Sequence, residues 1–528
     1  MISSVARAHQ LLQSLADCGL EHALICPGSR NAPFIYASEK VDITFHSRID
    51  ERTAAFTALG IAQETKKPVA LITTSGTAIS HAYPAILEAE ASHIPLLLIS
   101  ADRPSYLKNS GASQTLNQSN LFGEHVKFFL DVHENYPLQA LAQETARCYA
   151  AAEHGAVHLN ISFEEPLVPT KTHYELATTP RIALKLDSTS IAASTSKTRS
   201  PEGVVVIAAD GAGPEATDYA EKNHLPLLAD VTTDARRSKN AINYPAEISQ
   251  HFSKDINHVI VFGKPTLFRS VLELLNQPDI QVTVISEDTH WHNTWLNASE
   301  IVSLSNAPRF TAETAWLDKW HRASALPVAQ LTQLDHYSAA QAIWQSDNCQ
   351  RLIIGASNPI RYISTVADSN MPAHKIFSHR GLAGIDGTIA TGIGVALASQ
   401  EKTRIYCGDI TALHDANSLL RAPHEYATDV HLVIANDNGG TIFTTLEHGK
   451  QKQQQKLVER FLTTPQRIDF KALAKAYGWE YYRIETLEDL RSNLRNYQRG
   501  NVISEIMLTD KDVNFSQLIA PQLDTLKE

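Results

Sequence analysis

The stretch IDERTAAFTALGIAQETKKPVALITTSGTA (49–78) decides the fold. Its first half reads as a helix: Asp50 suits an N-cap, Glu51 suits the first turn of the helix dipole, and small apolar residues follow to Lys66. PVALITTSG (68–76) is a short apolar run ending in a turn, the pattern of a buried strand. A helix feeding directly into a buried strand is one beat of a parallel α/β sheet.

The same beat continues on both sides. HALICPG (22–28) and IPLLLISADRP (94–104) are further strands, and the three strand ends carry PGSR, TTSGT and SADRP, all small or polar. Ligands of doubly wound sheets sit at such carboxyl ends. Residues 181–202, RIALKLDSTSIAASTSKTRSPE, are rich in Ser and Thr and read as a linker. A second rhythm follows in GVVVIAADG (203–211), HLPLLADV (224–231), HVIVFG (258–263) and IQVTVIS (280–286), then a weakly patterned stretch from about 303 to 335. A third begins near 336, with strands in 349–359, 375–387, 403–410, 430–440 and 501–508. The expected fold class is α/β, with three doubly wound parallel-sheet domains over 1–180, 181–335 and 336–528.

Bulk composition fits that plan. The 528 residues suffice for three or four domains, and 43% hydrophobic with 20% charged residues is globular. A net charge of -11 argues against nucleic acid as a partner. The five cysteines (18, 26, 148, 349 and 407) are widely spaced without a CxxC pair, which points to a reducing, cytoplasmic setting. No signal peptide or membrane-length apolar run is expected. Cys26 and Cys407 sit in apolar strands as inert core. HWH (290–292) has no third ligand at metal spacing, ADGAG (209–213) is too loose for a flavin fingerprint, and LHDAN (413–417) reads as a helix start.

Two motifs of the third domain carry chemistry. GDI (408–410) ends one apolar strand and IANDNGG (434–440) ends another, with Asp437 lying 28 positions after Asp409. Either alone is an ordinary turn. Together they place carboxylates and a backbone carbonyl where a hard cation could sit, with glycines that admit phosphate oxygens.

At this point the chain resembles the thiamine-diphosphate enzymes, whose metal signature is GD-x(26–28)-N-N/D-x-G. The resemblance implies a metal, Mg²⁺ or Mn²⁺, held by Asp409, Asp437 and the carbonyl of Gly439, with Asn436 the alternative to Asp437 if the register slips by one. It also implies that Glu51 faces the cofactor's aminopyrimidine and protonates it. PGSRNAPF (27–34), SRIDER (47–52), LISADRP (98–104), GASQTLNQSNLF (111–122), SHRGLAGIDG (378–387) and NDNGGTIF (436–443) are similar, more narrowly, to the 2-succinyl-5-enolpyruvyl-6-hydroxy-3-cyclohexene-1-carboxylate synthases. The likeness covers the first and third domains well and the middle one faintly.

That likeness implies decarboxylation of 2-oxoglutarate and addition of the remaining four-carbon unit to isochorismate, a step of menaquinone synthesis. It implies thiamine diphosphate contacts at Thr74, Gly384, Ile385, Gly408, Thr411, Gly440 and Ile442, with Ile385 bending the cofactor. Ser29, Arg30 and Arg103 would take isochorismate; Ser357, Arg361 and Arg380 the 2-oxo acid; Gln114 would lie near the reacting centre. Both substrates are dianions, for which arginine forks are suited. Two positions depart from the pattern: Ser113 replaces an Asn, and Arg269 replaces a middle-domain Lys. A homodimer or homotetramer is implied, since the cofactor lies between domains of two subunits in this class. Two other readings stand beside this one: an acetolactate-synthase-type decarboxylase or carboligase, and a non-catalytic ligand sensor. Intact Glu51 and Asp409 speak against the sensor.

Overall fold

The computed structural model describes residues 2–170, 173–180, 198–287, 291–325, 331–368, 374–450, 452–508 and 523. The expected linker lies outside the described residues up to 197, as does His290.

Three separate all-parallel sheets form. The first contains β1 (His22–Ile25), β2 (Thr44–Ser47), β3 (Val69–Thr73), β4 (Leu96–Asp102), β5 (Phe128–Val132) and β6 (Val157–Ser162). The central sheet contains β7 (Val204–Ala208), β8 (Leu227–Ala229), β9 (His258–Phe262), β10 (Gln281–Ile285) and β11 (Glu300–Val302). The third contains β12 (Arg351–Ile354), β13 (Lys375–Phe377), β14 (Thr403–Gly408), β15 (Val430–Asn436), β16 (Glu480–Ile484) and β17 (Val502–Met507).

The first sheet runs β2-β1-β3-β4-β6-β5 and the third β13-β12-β14-β15-β17-β16, which is the same winding repeated. In each, strand order reverses beside the first strand. The switch points therefore fall between β1 and β3, and between β12 and β14. Those crevices are where a doubly wound sheet binds its ligand. The β1 and β3 ends lead into PGSR and TTSG; the β12 and β14 ends lead into GASN and GDIT.

The helix Glu51–Thr65 joins the two outer units. Asp50 caps it, accepting from the amides of Arg52 (3.0 Å) and Thr53 (3.2 Å), and Lys66 ends it in the left-handed region. Residues 53–62 are buried because β-sheet lies on one side and the helix Thr388–Ser399 on the other. The two helices touch backbone to backbone: a Cβ on Gly60 would overlap the Thr391 carbonyl, and one on Gly394 would overlap that of Thr57. Phe56 stacks on His379 with 5.3 Å between ring centres, and His379 bonds Thr391 at 2.9 Å.

Some elements differ from the sequence reading. LHDAN holds the end of the short helix Asp409–His414, because the chain turns helical directly after Gly408, and the start of the 3₁₀ turn Ala416–Leu419. Asp415 then points inward and accepts from the amides of Ile389 (2.8 Å) and Ala390 (2.9 Å). The weakly patterned stretch contains the helix Ala315–Ser324, whose Trp316 and Trp320 enter the central core. Cys26 and Cys407 are fully buried, and burial pushes both thiols up. No described helix is long and apolar enough to cross a membrane.

Gly60→Ala is expected to destabilise the protein by about 1–3 kcal/mol, since the added methyl meets backbone that cannot rotate away. An unchanged thermal midpoint would contradict this packing. Asp230 gives a second test. It is buried, its Oδ2 has no hydrogen-bond partner, and burial followed by the charge of Asp210 pushes its carboxyl up to about 7. The unfolded value is about 3.9, so the folded chain holds the extra proton between these limits. Its stability contribution is complete below about pH 4, declines as pH rises to about 7, and is flat above. Asp230→Asn should therefore lose less stability than the parent as pH rises from about 4 to about 7; parallel profiles would contradict the assignment.

Candidate active site

At the third switch point, Asp409 opens its helix with a side chain that is 3% exposed. Burial, then the charge of Asp437 at the end of β15, pushes its carboxyl up to about 7. The amides of Ile410 (2.7 Å) and Gly439 donate to it. Asp437 accepts from the Thr441 hydroxyl and lies 3.2 Å from the His336 imidazole. The neighbouring Asn436 is occupied elsewhere: its amide donates to Glu505 at 2.5 Å and accepts from the Asn438 amide at 3.0 Å. Asp409, Asp437 and Gly439 thus come together, and the Asn436 side chain turns away from them. Asn358, after β12, donates to Thr441 at 3.0 Å and ties the loop after β12 to the loop after β15. Among the described residues no cluster of three or more His, Cys, Asp or Glu side chains is poised for a metal. This donor set, two crowded carboxylates and backbone, fits a hard cation that also takes oxygens from a bound phosphate group.

Around this centre, Ser357 takes a positive φ of 70° and its carbonyl accepts from Arg361 at 2.5 Å. Arg361 and Arg380 are close enough that each guanidinium's charge bears on the site: burial, then Arg380, lowers the Arg361 pKa. Arg380 is buried, donates to Thr266 at 2.7 Å, and faces Asp230, Asp210 and Glu88. Arg269 is not in this cluster. Its side chain is 87% exposed and pairs with Glu273 at 3.0 Å, on the rim of a cavity of about 400 Å³ that Arg361 also lines.

Glu88 was not singled out by sequence, yet it holds the loop that carries Arg380, Gly384 and Ile385. Its buried carboxylate accepts from the amides of Gly381 (2.8 Å) and Leu382 (2.7 Å), and the Lys264 ammonium donates to the Gly381 carbonyl. Only its place in TSGTAISHAYPAILEA, an acid on the inner face of a helix, hinted at it.

At the first switch point, a Cβ on Gly28 would overlap Thr74, so PGSR and TTSG are in contact. The buried Thr74 hydroxyl has no hydrogen-bond partner. Gln114 and Ser75 interlock: the Gln114 amide donates to the Ser75 carbonyl, and the Ser75 hydroxyl to the Gln114 carbonyl, each at 3.0 Å. Glu51 lies within electrostatic reach of Cys26 at the end of β1. Arg30 donates to the Phe163 carbonyl at 2.9 Å; burial, then the charge of Arg103, lowers its pKa. The Nε atoms of Arg30, Arg103 and Arg380 are buried without hydrogen-bond partners among the described residues. Three such donors suit carboxylate-bearing ligands.

Two family models match the chain. Residues 6–121 match the thiamine pyrophosphate enzyme N-terminal TPP binding domain, and 360–506 the C-terminal TPP binding domain. The 2-succinyl-5-enolpyruvyl-6-hydroxy-3-cyclohexene-1-carboxylate synthase of Renibacterium salmoninarum is 36% identical over 527 residues, covering 96% of this chain and 94% of its own. The synthase of the same name from Paenarthrobacter aurescens is 35% identical over 544 residues, with coverages of 96% and 94%. The chain belongs to this synthase family of thiamine-pyrophosphate enzymes. Within it, the first and third units are the cofactor-binding ones, and the central unit matches neither binding-domain family.

Glu88→Gln should leave one loop amide facing an NH₂ group. The expected loss is about 2 kcal/mol of stability, read as a lower urea midpoint. A parent-like midpoint would mean that the loop holds itself.

Proposed function

We propose that this chain decarboxylates 2-oxoglutarate and adds the remaining four-carbon unit to isochorismate, as a cytoplasmic enzyme of menaquinone synthesis. The observation that carries the reading is the paired switch points: Glu51 with PGSR and TTSG at one, Asp409 with Asp437 and Gly439 at the other.

Mg²⁺ or Mn²⁺ would be held by Asp409, Asp437 and the Gly439 carbonyl, with Gly408, Thr411, Gly440 and Ile442 lining the diphosphate. A divalent cation relieves the repulsion that lifts the Asp409 carboxyl. Thr74, Gly384 and Ile385 would line the cofactor rings. When bound, thiamine diphosphate supplies the electron sink for loss of CO₂.

The protein's own groups bind, orient and move protons. Glu51 holds a proton at the pyrimidine N1′ position. Arg361, Arg380 and Ser357 fix the carboxylates of 2-oxoglutarate, with Arg269 at the mouth. Ser29, Arg30 and Arg103 receive the isochorismate carboxylates, and Gln114 orients the acceptor ring. Each arginine–carboxylate pair formed away from water is a strong, directional contact. The Gly28–Thr74 and Ser75–Gln114 contacts lie within the first unit and the Asp409–Asp437 contacts within the third. A second copy of the chain would bring one set to the other, giving a homodimer or a dimer of dimers. Exposed Ile49 and Tyr426 offer apolar surface for that contact.

The test is CO₂ release from 2-oxoglutarate with thiamine diphosphate and Mg²⁺, with and without isochorismate, beside Glu51→Gln. Release should rise with isochorismate and fall by about a hundredfold or more in the variant. Consumption of pyruvate with 2-oxoglutarate inert would contradict the named reaction. Inertness toward every 2-oxo acid would contradict the enzyme class.

A further inference from the structure

Strand β6 is wholly buried, yet it carries His158, Asn160 and Ser162. Asn160 satisfies every bond its amide can make. Its Oδ1 accepts from Ser100 and from Gln118, both at 2.8 Å. Its Nδ2 donates to Asp102 and to Asp131, both at 2.9 Å. Two of these partners reach the site. Asp102 accepts from the backbone amide of Arg103 at 2.8 Å, and Gln118 Oε1 accepts from the amide of Gly76 at 2.8 Å. A buried amide satisfied at every position in this way admits one arrangement, because any slip leaves a desolvated polar group unpaired.

Gln118 also has a special place in its own segment. Residues 105–121 leave β4 and cross to the site with little regular structure, and Gln118 is the only buried residue among them. Gln114, four positions earlier, is exposed and held at a φ of 53°. Gln118 is thus the segment's deepest attachment, beside bonds from Ser105 to Glu134 at 2.6 Å, between Gln114 and Ser75 at 3.0 Å, and from Ser119 to Asp131 at 2.5 Å. Lys108, 3.4 Å from both Asp102 and Asp131, balances their charge.

We propose that Gln118 is a positioning residue. Seated on Asn160, it fixes the 105–121 segment against the Ser75–Gly76 turn and so sets Gln114 and Arg103 for the second substrate. This rests on the reading that Gln114 and Arg103 serve isochorismate. Gln118 itself touches neither substrate nor cofactor in this arrangement; it acts through Gln114.

Gln118→Met keeps the length of the side chain and removes both polar ends. The full chain with thiamine diphosphate and Mg²⁺ is assayed in two ways: CO₂ release from 2-oxoglutarate alone, and KM for isochorismate in the complete reaction. The KM is expected to rise about tenfold or more, with release from 2-oxoglutarate alone held within about twofold of the parent. Gln114→Ala is expected to raise the same KM. If Gln114→Ala raises it and Gln118→Met only lowers the thermal midpoint, Gln118 is structural and the proposal is overturned. An equal loss in both assays for Gln118→Met also overturns it, since the effect then runs through the cofactor turn. Parent-like KM values in both variants overturn the role of Gln114 and the anchor with it. Should Gln118→Met not fold, Ser119→Ala loosens the same segment from its shallow side; a smaller rise in the isochorismate KM supports the anchor, and an unchanged one overturns it.

Discussion

The close approach of the helices Glu51–Thr65 and Thr388–Ser399 is the constraint on which the rest depends. Gly60 and Gly394 let two backbones meet where any side chain would push them apart. The first helix begins with Glu51, and the second follows directly on the loop carrying Arg380, Gly384 and Ile385. A shift of one helix along the other would therefore move Glu51 and Arg380 together, each in its own site of the proposed dimer. Asp415 and Glu88 add to the fixation: one accepts from the first amides of the second helix, the other from the loop before it.

Holding charge away from water is costly, and the molecule manages that cost by local pairing. Arg380 is set among Asp210, Asp230 and Glu88, and Arg30 beside Glu165 at 3.8 Å. The guanidinium groups are thus kept in place without their Nε donors being used. Asp409 and Asp437 are the reverse case, two buried carboxylates crowded together, with the His336 imidazole 3.2 Å from Asp437. Desolvated like charges of this kind are found where function requires them.

Sequence revealed the parts that rest on short-range pattern. Apolar runs such as VVVIA and LLLIS marked buried strands, and Gly, Ser and Asp at their ends marked the crevices. Strand β6, VHLNIS, escaped because its His158 and Asn160 are buried against Ser100 on β4, a pairing that no local window displays. The edge strand β16, EYYRI, escaped for the opposite reason: it is mostly exposed and has no apolar run. The metal-side register was left open between Asn436 and Asp437, and it took Glu505 on β17 to show where the Asn436 amide points. Glu88 and Gln118 act across 293 and 42 positions of chain, distances over which spacing carries no signal.

In the proposed homodimer, Glu51 of one copy and Asp409 of the other act in a single site. Mixing Glu51→Gln chains with Asp409→Asn chains, after dissociation and reassociation, tests it directly. A shared site restores one intact centre in each mixed dimer, so two inactive preparations should recover about a quarter of the parent's CO₂ release from 2-oxoglutarate. No recovery, with mixed dimers demonstrably formed, would place both groups in one chain and contradict the claim.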